Sequence, residues 1–332
     1  MLKSRKVSDF PVIRRGSPGS GYANRTIEGS PAWIPERRRF EATFSGLDST
    51  LDGPPFWRTF GAWSADGVRW ELRNGGKPIL PIAPGDWDEK EQGRACQYHE
   101  HGTTWLFYNG SNDASREHFN GSLKVGLASS SDGVHWTKHG VVLDGTGPGD
   151  PPRPGQLNRI RGADGWKHVG YCAWVTRQDD TWVMLFNDNR YEFNISRATA
   201  PAPTGPWTLD SANPILVGTA TPWQGKLEDC TIVRAGENWL VFVDSLGRSL
   251  PGAPCGLPVY RARDLAHGPF ELYELFVPLP DSRGLGRFDS DSIGTPGACL
   301  APDGRILLMY SGPQDQDGAE IGACFIEVPK DL

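Results

Sequence analysis

The sequence repeats itself at intervals near 66 residues, and no other feature restricts its fold as strongly. The clearest marker is a turn closed by an aromatic residue: Ser64-Ala-Asp-Gly-Val-Arg-Trp70, Ser130-Ser-Asp-Gly-Val-His-Trp136, Ala202-Pro-Thr-Gly-Pro-Trp207 and Ala266-His-Gly-Pro-Phe270. The closing aromatics follow one another at spacings of 66, 71 and 63 residues. Asp-Gly and Thr-Gly suit backbone positions that need positive φ, and an aromatic two or three residues later can wedge between neighbouring sheets. Asp66 and Asp132 are therefore turn residues on this reading. A second marker, an apolar run of strand length, occurs five times: Phe40 to Phe44, Trp105 to Tyr108, Trp182 to Phe186, Trp239 to Val243 and Ile306 to Tyr310. A third, a short apolar segment after the aromatic turn, occurs four times: Lys77 to Leu80, Gly140 to Leu143, Asn213 to Leu216 and Leu275 to Pro278. The fifth copy lacks it, but Phe10-Pro-Val-Ile13 has the same character.

Units of four strands at this spacing predict an all-β, five-bladed β-propeller with antiparallel blades. The N-terminal segment would supply the outer strand of the last blade and close the ring. Residues 1–332 then form one domain, with inner hairpins near 29–46, 94–110, 171–188, 228–245 and 294–312. A two-sheet sandwich also uses many short strands, but it accounts for neither the period nor the displaced terminal strand. The 41 glycines and 28 prolines favour short strands over long helices, and 13 tryptophans supply blade packing. Trp70, Trp136 and Trp207 belong to that packing, whereas Trp57, Trp87 and Trp166 lie on insertions that could present a flat apolar face to a ligand.

A net charge of -6 leaves no electrostatic footprint for nucleic acid. The basic run Arg37-Arg38-Arg39 reads as a solvated turn. No apolar segment approaches the ~18 residues needed to span a membrane, and no hydrophobic core follows the basic Met1 to Val7. The expectation is a cytoplasmic protein, or a secreted one if a signal precedes this sequence. Six cysteines lie far apart, and Cys96, Cys172, Cys230 and Cys299 fall in or just before inner strands, which predicts reduced, buried thiols.

In a propeller the entry ends of the innermost strands converge on one pocket, so the chemistry is sought there. Those ends read Glu28-Gly-Ser-Pro31, Gly93-Arg-Ala-Cys96, Tyr171-Cys172, Glu228-Asp-Cys230 and Thr295-Pro296, the last preceded by Asp289 and Asp291. Glu228 stands out, an acid opening an apolar hairpin, where burial would raise its pKa toward working pH. Asp229, its neighbour on an extended strand, should point away from it. Arg94 could bind a sugar hydroxyl or carboxylate, or hold an acid ionised. His99-Glu100-His101 alternates along a strand at a hairpin turn and is not read as a metal site.

With these residues in view, the chain resembles the five-bladed propeller glycoside hydrolases: families 43, 32 and 117, and the related mannoside phosphorylases. The Glu228-Asp229-Cys230 hairpin is similar to the motif that carries the general acid of that group. The resemblance implies hydrolysis of a terminal furanosyl or related glycoside, arabinofuranosidase-like, by two carboxylates, with Glu228 as acid. It also implies an Asp at the start of the first and third blades; here those positions read Gly29-Ser30-Pro31 and Tyr171-Cys172. The partner of Glu228 is sought among Asp291, Asp164, Asp289 and Glu28. Arg94, Tyr171, His168, Asp229, Trp57 and Trp166 are the further candidates for substrate contact. A carbohydrate is the expected partner; no membrane, nucleic acid or cofactor is expected, although the central channel is compatible with a structural cation. The alternatives are a noncatalytic carbohydrate-binding propeller and a phosphorylase, which would need several cations around phosphate.

Overall fold

The computed structural model describes residues 1–49, 56–112, 123–144, 171–188, 194–218, 227–245, 256–278, 288–289, 292–312, 319–329 and 332, without the side chains of Tyr171, Cys172 and Asp188. Twenty strands form five antiparallel sheets of four. Blade one holds β2 (Arg25–Ile34), β3 (Arg39–Leu47), β4 (Arg58–Ser64) and β5 (Glu71–Leu72). Blade two holds β6 (Glu91–Glu100), β7 (Thr103–Ser111), β8 (Lys124–Ser130) and β9 (Thr137–Leu143). Blade three holds β10 (Tyr171–Gln178), β11 (Thr181–Asp188), β12 (Asn194–Ala200) and β13 (Thr208–Leu209). Blade four holds β14 (Leu227–Ala235), β15 (Asn238–Ser245), β16 (Leu257–Ala262) and β17 (Glu271–Phe276). Blade five takes β18 (Gly294–Leu300), β19 (Ile306–Ser311) and β20 (Ile321–Glu327) from the C-terminal end, and β1 (Lys3–Lys6) as its outermost strand. The first strands of the blades touch in cyclic order, β2 meeting both β6 and β18, so the ring is closed. Among the described residues no helix is long and apolar enough to cross a membrane.

The second strand of each blade is buried on both faces, which is why those stretches read as continuous apolar runs rather than alternating ones. Along β15, Leu240 and Phe242 pack toward Leu308 and Tyr310 of blade five, while Val241 and Val243 pack toward Leu185 and Ile195 of blade three. The core is thus distributed among the blade interfaces. The turns repeat as well: Ser64 Oγ accepts the Gly67 N–H at 2.8 Å and Asp66 Oδ1 those of Val68 and Arg69, and Ser130 and Asp132 do the same for Gly133, Val134 and His135.

Three expectations are corrected. The strand that closes the ring is Lys3–Lys6, paired with β20, and Phe10 to Ile13 contributes only a bridge from Ile13 to Ile321. Pro11 has no N–H to give to a ladder, whereas residues 2–6 bury Leu2 and Lys6 against the sheet. The fourth strands begin directly after the closing aromatics, at Glu71, Thr137, Thr208 and Glu271. In blades one and three the segments Lys77 to Leu80 and Asn213 to Leu216, each holding a proline, instead fold over the sheet and bury Ile79, Leu80 and Leu216. The basic run is also more than a solvated turn. Arg37 and Arg39 both hold the fully buried Glu41 at 2.7 Å, joined by Arg73 at 3.0 Å.

Candidate active site

Every first strand is interrupted near its entry by a break in register, between Ile27 and Ser30, Gly93 and Cys96, Tyr171 and Trp174, Leu227 and Cys230, and Gly294 and Gly297. Hydrogen bonds between blades show which residues correspond. Ser30 Oγ accepts the Gln97 N–H at 3.0 Å, Cys96 Sγ accepts that of Val175 at 3.3 Å, and Thr231 Oγ1 accepts that of Ala298 at 2.9 Å. The acceptors Ser30, Cys96 and Thr231 are therefore equivalent, and the donors Gln97, Val175 and Ala298 are equivalent one position further along their strands. Two residues back from each acceptor position lie Glu28, Arg94, Cys172, Asp229 and Thr295; in blade four the break in register falls one residue earlier relative to that bond and by itself matches Glu228 to Glu28.

The four of these whose side chains are described line a depression at the centre of the ring, together with Ala95, Cys96, Ala173, Trp174, Cys230 and Pro296. Glu28, Arg94 and Thr295 have φ of 59°, 51° and 44°, in the left-handed region. For side chains with a Cβ this backbone costs on the order of 1–3 kcal/mol each and persists where surrounding bonds impose it. Those bonds come from the preceding blade: Ser45 Oγ accepts the Arg94 N–H at 2.7 Å, and Asp244 Oδ2 accepts that of Thr295 at 2.9 Å. The Glu28 N–H reaches Thr295 Oγ1 at 3.4 Å, and that hydroxyl is also bonded to Ser311 Oγ.

The breaks in register overturn the expectation that Asp229 points away from Glu228. One carboxylate oxygen each of Glu228, Asp229 and Asp244 lies within 4.8 Å of the other two, because a bulge suspends the alternation of a regular strand. It is Asp229 that occupies the ring position and lines the cavity, with the half-buried Glu228 beside it. Three carboxyls at this spacing can share a proton or a cation. Across the cavity, Arg94 Nη1 donates to Glu91 Oε1 at 2.6 Å and its Nε lies 3.7 Å from Glu28 Oε1. Burial raises the Glu28 carboxyl above its ordinary value of 4.5, and the attraction of Arg94 opposes this without cancelling it. Cys96 and Cys230 are free thiols, Cys96 pushed up by burial to about 12, which makes them structural.

Two sequence candidates are placed elsewhere. Asp289 is buried against Lys6 Nζ at 2.5 Å and accepts the Tyr310 hydroxyl at 3.0 Å, so it fastens β1 to blade five. Trp57 is buried with Ile27 and Ala319, and the Arg94 guanidinium stacks over its ring at 5.4 Å, leaving no face for a sugar. Trp87 stacks on Tyr108. His99 bonds to Glu36 and Thr104, Glu100 pairs with Arg177, and His101 is exposed, so the three do not converge. Asp164, Trp166, His168 and Asp291, and the side chain of Tyr171, lie outside the described residues. Sequence reasoning missed Glu91 and Asp244, and it read Thr295 only as a strand entry. For Asp244 a signal existed: each of the five apolar runs is followed at once by a polar residue, Ser45, Asn109, Asn187, Asp244 and Ser311, of which only Asp244 is charged.

The architecture is a five-bladed β-propeller with an acid-lined centre. No family model and no curated protein matches the sequence. Solved structures do match in fold. One is a complex of BT0996 with RGII, 14% identical over 98% of this chain and 93% of that one, with a TM-score of 0.70. Another is Zg3597, a family 117 glycoside hydrolase of the marine bacterium Zobellia galactanivorans, 12% identical over 100% and 92% of the two chains, with a TM-score of 0.65. A third is an exo-1,5-alpha-L-arabinanase from a bovine ruminal metagenomic library, 14% identical over 96% and 98%, with a TM-score of 0.59.

Proposed function

We propose that this chain is a glycoside hydrolase that cleaves a terminal sugar residue between Glu28 of blade one and Asp229 of blade four. The observation that carries this reading is the convergence of the two carboxyls, from equivalent positions in blades that are not neighbours, on one central cavity. Glycoside hydrolysis needs one carboxylic acid to protonate the departing oxygen and a carboxylate to activate water or attack the sugar carbon. Asp229 serves as the acid, since it is the carboxyl of the blade-four cluster that lines the same depression as Glu28. Glu28 serves as the base, because burial increases its affinity for the proton it must take from water. In this reading Glu28 fills the first-blade role, one residue before the Gly29-Ser30-Pro31 at which the sequence offered no acid. The shared fold with an exo-acting arabinanase supports a furanosyl glycon.

The test is turnover of a panel of alkyl and 4-nitrophenyl furanosides and pyranosides by the wild type, Glu28→Gln, Asp229→Asn and Glu228→Gln. Asp229→Asn should lower kcat by about 10²–10⁴-fold, and less on aryl groups that leave readily without protonation. A larger loss in Glu228→Gln than in Asp229→Asn would move the acid to Glu228. Wild-type turnover that requires phosphate would make the enzyme a phosphorylase. Sugar binding without any turnover would sink the catalytic reading.

A further inference from the structure

Asp244 is a fully buried acid on the second strand of blade four, at a position that is neutral in the other blades: Ser45, Asn109, Asn187 and Ser311. This position braces one blade against the next. Ser45 Oγ holds the Arg94 amide, and Asn187 Nδ2 donates to the Leu227 carbonyl at 2.7 Å. At the junction of blades four and five the brace continues further than at the others. Asp244 takes the Thr295 N–H, the Thr295 hydroxyl meets both Ser311 Oγ and the Glu28 N–H, and Asp244 itself lies against Asp229 and Glu228. Thr295 keeps φ at 44°, a conformation that a β-branched residue does not adopt unless it is held there.

We propose that Asp244 and Thr295 are positioning residues that set the placement of Glu28 relative to Asp229, through the path from the Asp244 carboxylate to the Thr295 amide and from the Thr295 hydroxyl to the Glu28 amide. The proposal rests on the two-carboxylate reading for its consequence in catalysis, and on the bonds alone for its consequence in structure. Neither residue need touch substrate. Blade five inserts between the two carboxyl-bearing blades, so the bulge at Thr295 connects their walls.

Thr295→Val preserves the shape and the N–H but removes the hydroxyl; Thr295→Ser keeps it. Crystal structures of both, together with the wild type, should show the Glu28 carboxyl displaced by about 1 Å in the Val variant and in place in the Ser variant, with kcat lowered about 10²-fold, KM changed less than about threefold, and activity recovered by Ser. Asp244→Ala and Asp244→Asn form a second pair, read by the position of Glu28 alone, in case Thr295→Val does not fold: Ala removes the acceptor of the Thr295 N–H and should displace Glu28, whereas Asn retains an acceptor oxygen and should not. Glu28 unmoved in Thr295→Val, or in Asp244→Ala if that is the variant that folds, would overturn the proposal, as would a Ser variant as impaired as Val. A wild type that hydrolyses nothing would defeat the proposed function but not this test, since the position of Glu28 is read without substrate.

Discussion

Glu28 combines two costly features at one residue, a left-handed backbone and a carboxyl withdrawn from water, and both serve to aim an acid into the centre of the ring. The second has a measurable effect on stability. The folded pKa lies above the ordinary 4.5, so the native state holds the proton more tightly than the unfolded chain does. Ionising Glu28 therefore costs stability progressively as pH rises from the unfolded value through the raised folded one. Glu28→Gln removes that cost. Its Tm should match the wild type below pH 4.5 and exceed it increasingly as the pH rises above that value; a gap independent of pH would contradict the assignment. The same shift predicts that kcat/KM of the wild type falls on the acid side at a pH above 4.5, as Glu28 gains a proton and ceases to act as a base. Asp229 was visible in the sequence, but the rule that successive residues point to opposite faces assigned it away from Glu228. That rule holds for a regular strand, and a bulge is a feature of pairing with a partner strand that one strand's sequence does not display.

Among the elements, β1 has the largest consequence for its size. Its four residues complete blade five and set Lys6 against the buried Asp289. Lys6→Met keeps the bulk of the side chain and leaves the Asp289 charge without its cation, which should destabilise the protein by about 3–5 kcal/mol in urea unfolding. A variant as stable as the wild type would show that the Lys6–Asp289 pair contributes nothing net. The turns between third and fourth strands are a second element with a sharp requirement. Gly67 has φ of 76°, and a Cβ there would meet the Phe325 ring at 2.9 Å, so Gly67→Ala should lower the stability by about 1–3 kcal/mol, more than the same change at Gly75, whose surroundings are open. Strand existence was legible because doubly buried second strands read as apolar runs. The closing strand and the fourth strands of blades one and three were misplaced because apolar character was used as the sign of a strand, whereas Lys3–Lys6 and Glu71–Leu72 are exposed edge strands without an apolar run; in blades two and four the segments from Gly140 and Leu275 do fall in fourth strands.

For the whole molecule, closure by a strand from the opposite terminus makes the ring a single cycle of interfaces, each blade packed on two neighbours. Removing residues 1–7 would expose the edge of β20 and the face covered by Leu2. The expected result is a truncated protein that unfolds at lower temperature and associates through the open edge, seen as higher-order species in sedimentation. A truncated chain that remains monomeric with an unchanged Tm would show that β1 is dispensable.

The sequence by itself determined the architecture. A period near 66 residues, turns whose chemistry demands positive φ, and five apolar runs are local properties, and only a ring of equivalent blades satisfies all of them together. It also determined which ends of which strands would meet, since equivalent positions in a ring must converge. What only the tertiary structure decided is the phase within each strand. In blade four the Ala298 amide donates to Thr231 and not to Cys230, a bond between residues 67 positions apart that sets Asp229 rather than Glu228 two residues back. One residue of phase exchanges Glu228 for Asp229 at the cavity and brings Glu28 to face it, because a side chain's direction depends on the partner its backbone bonds to and not on its own identity.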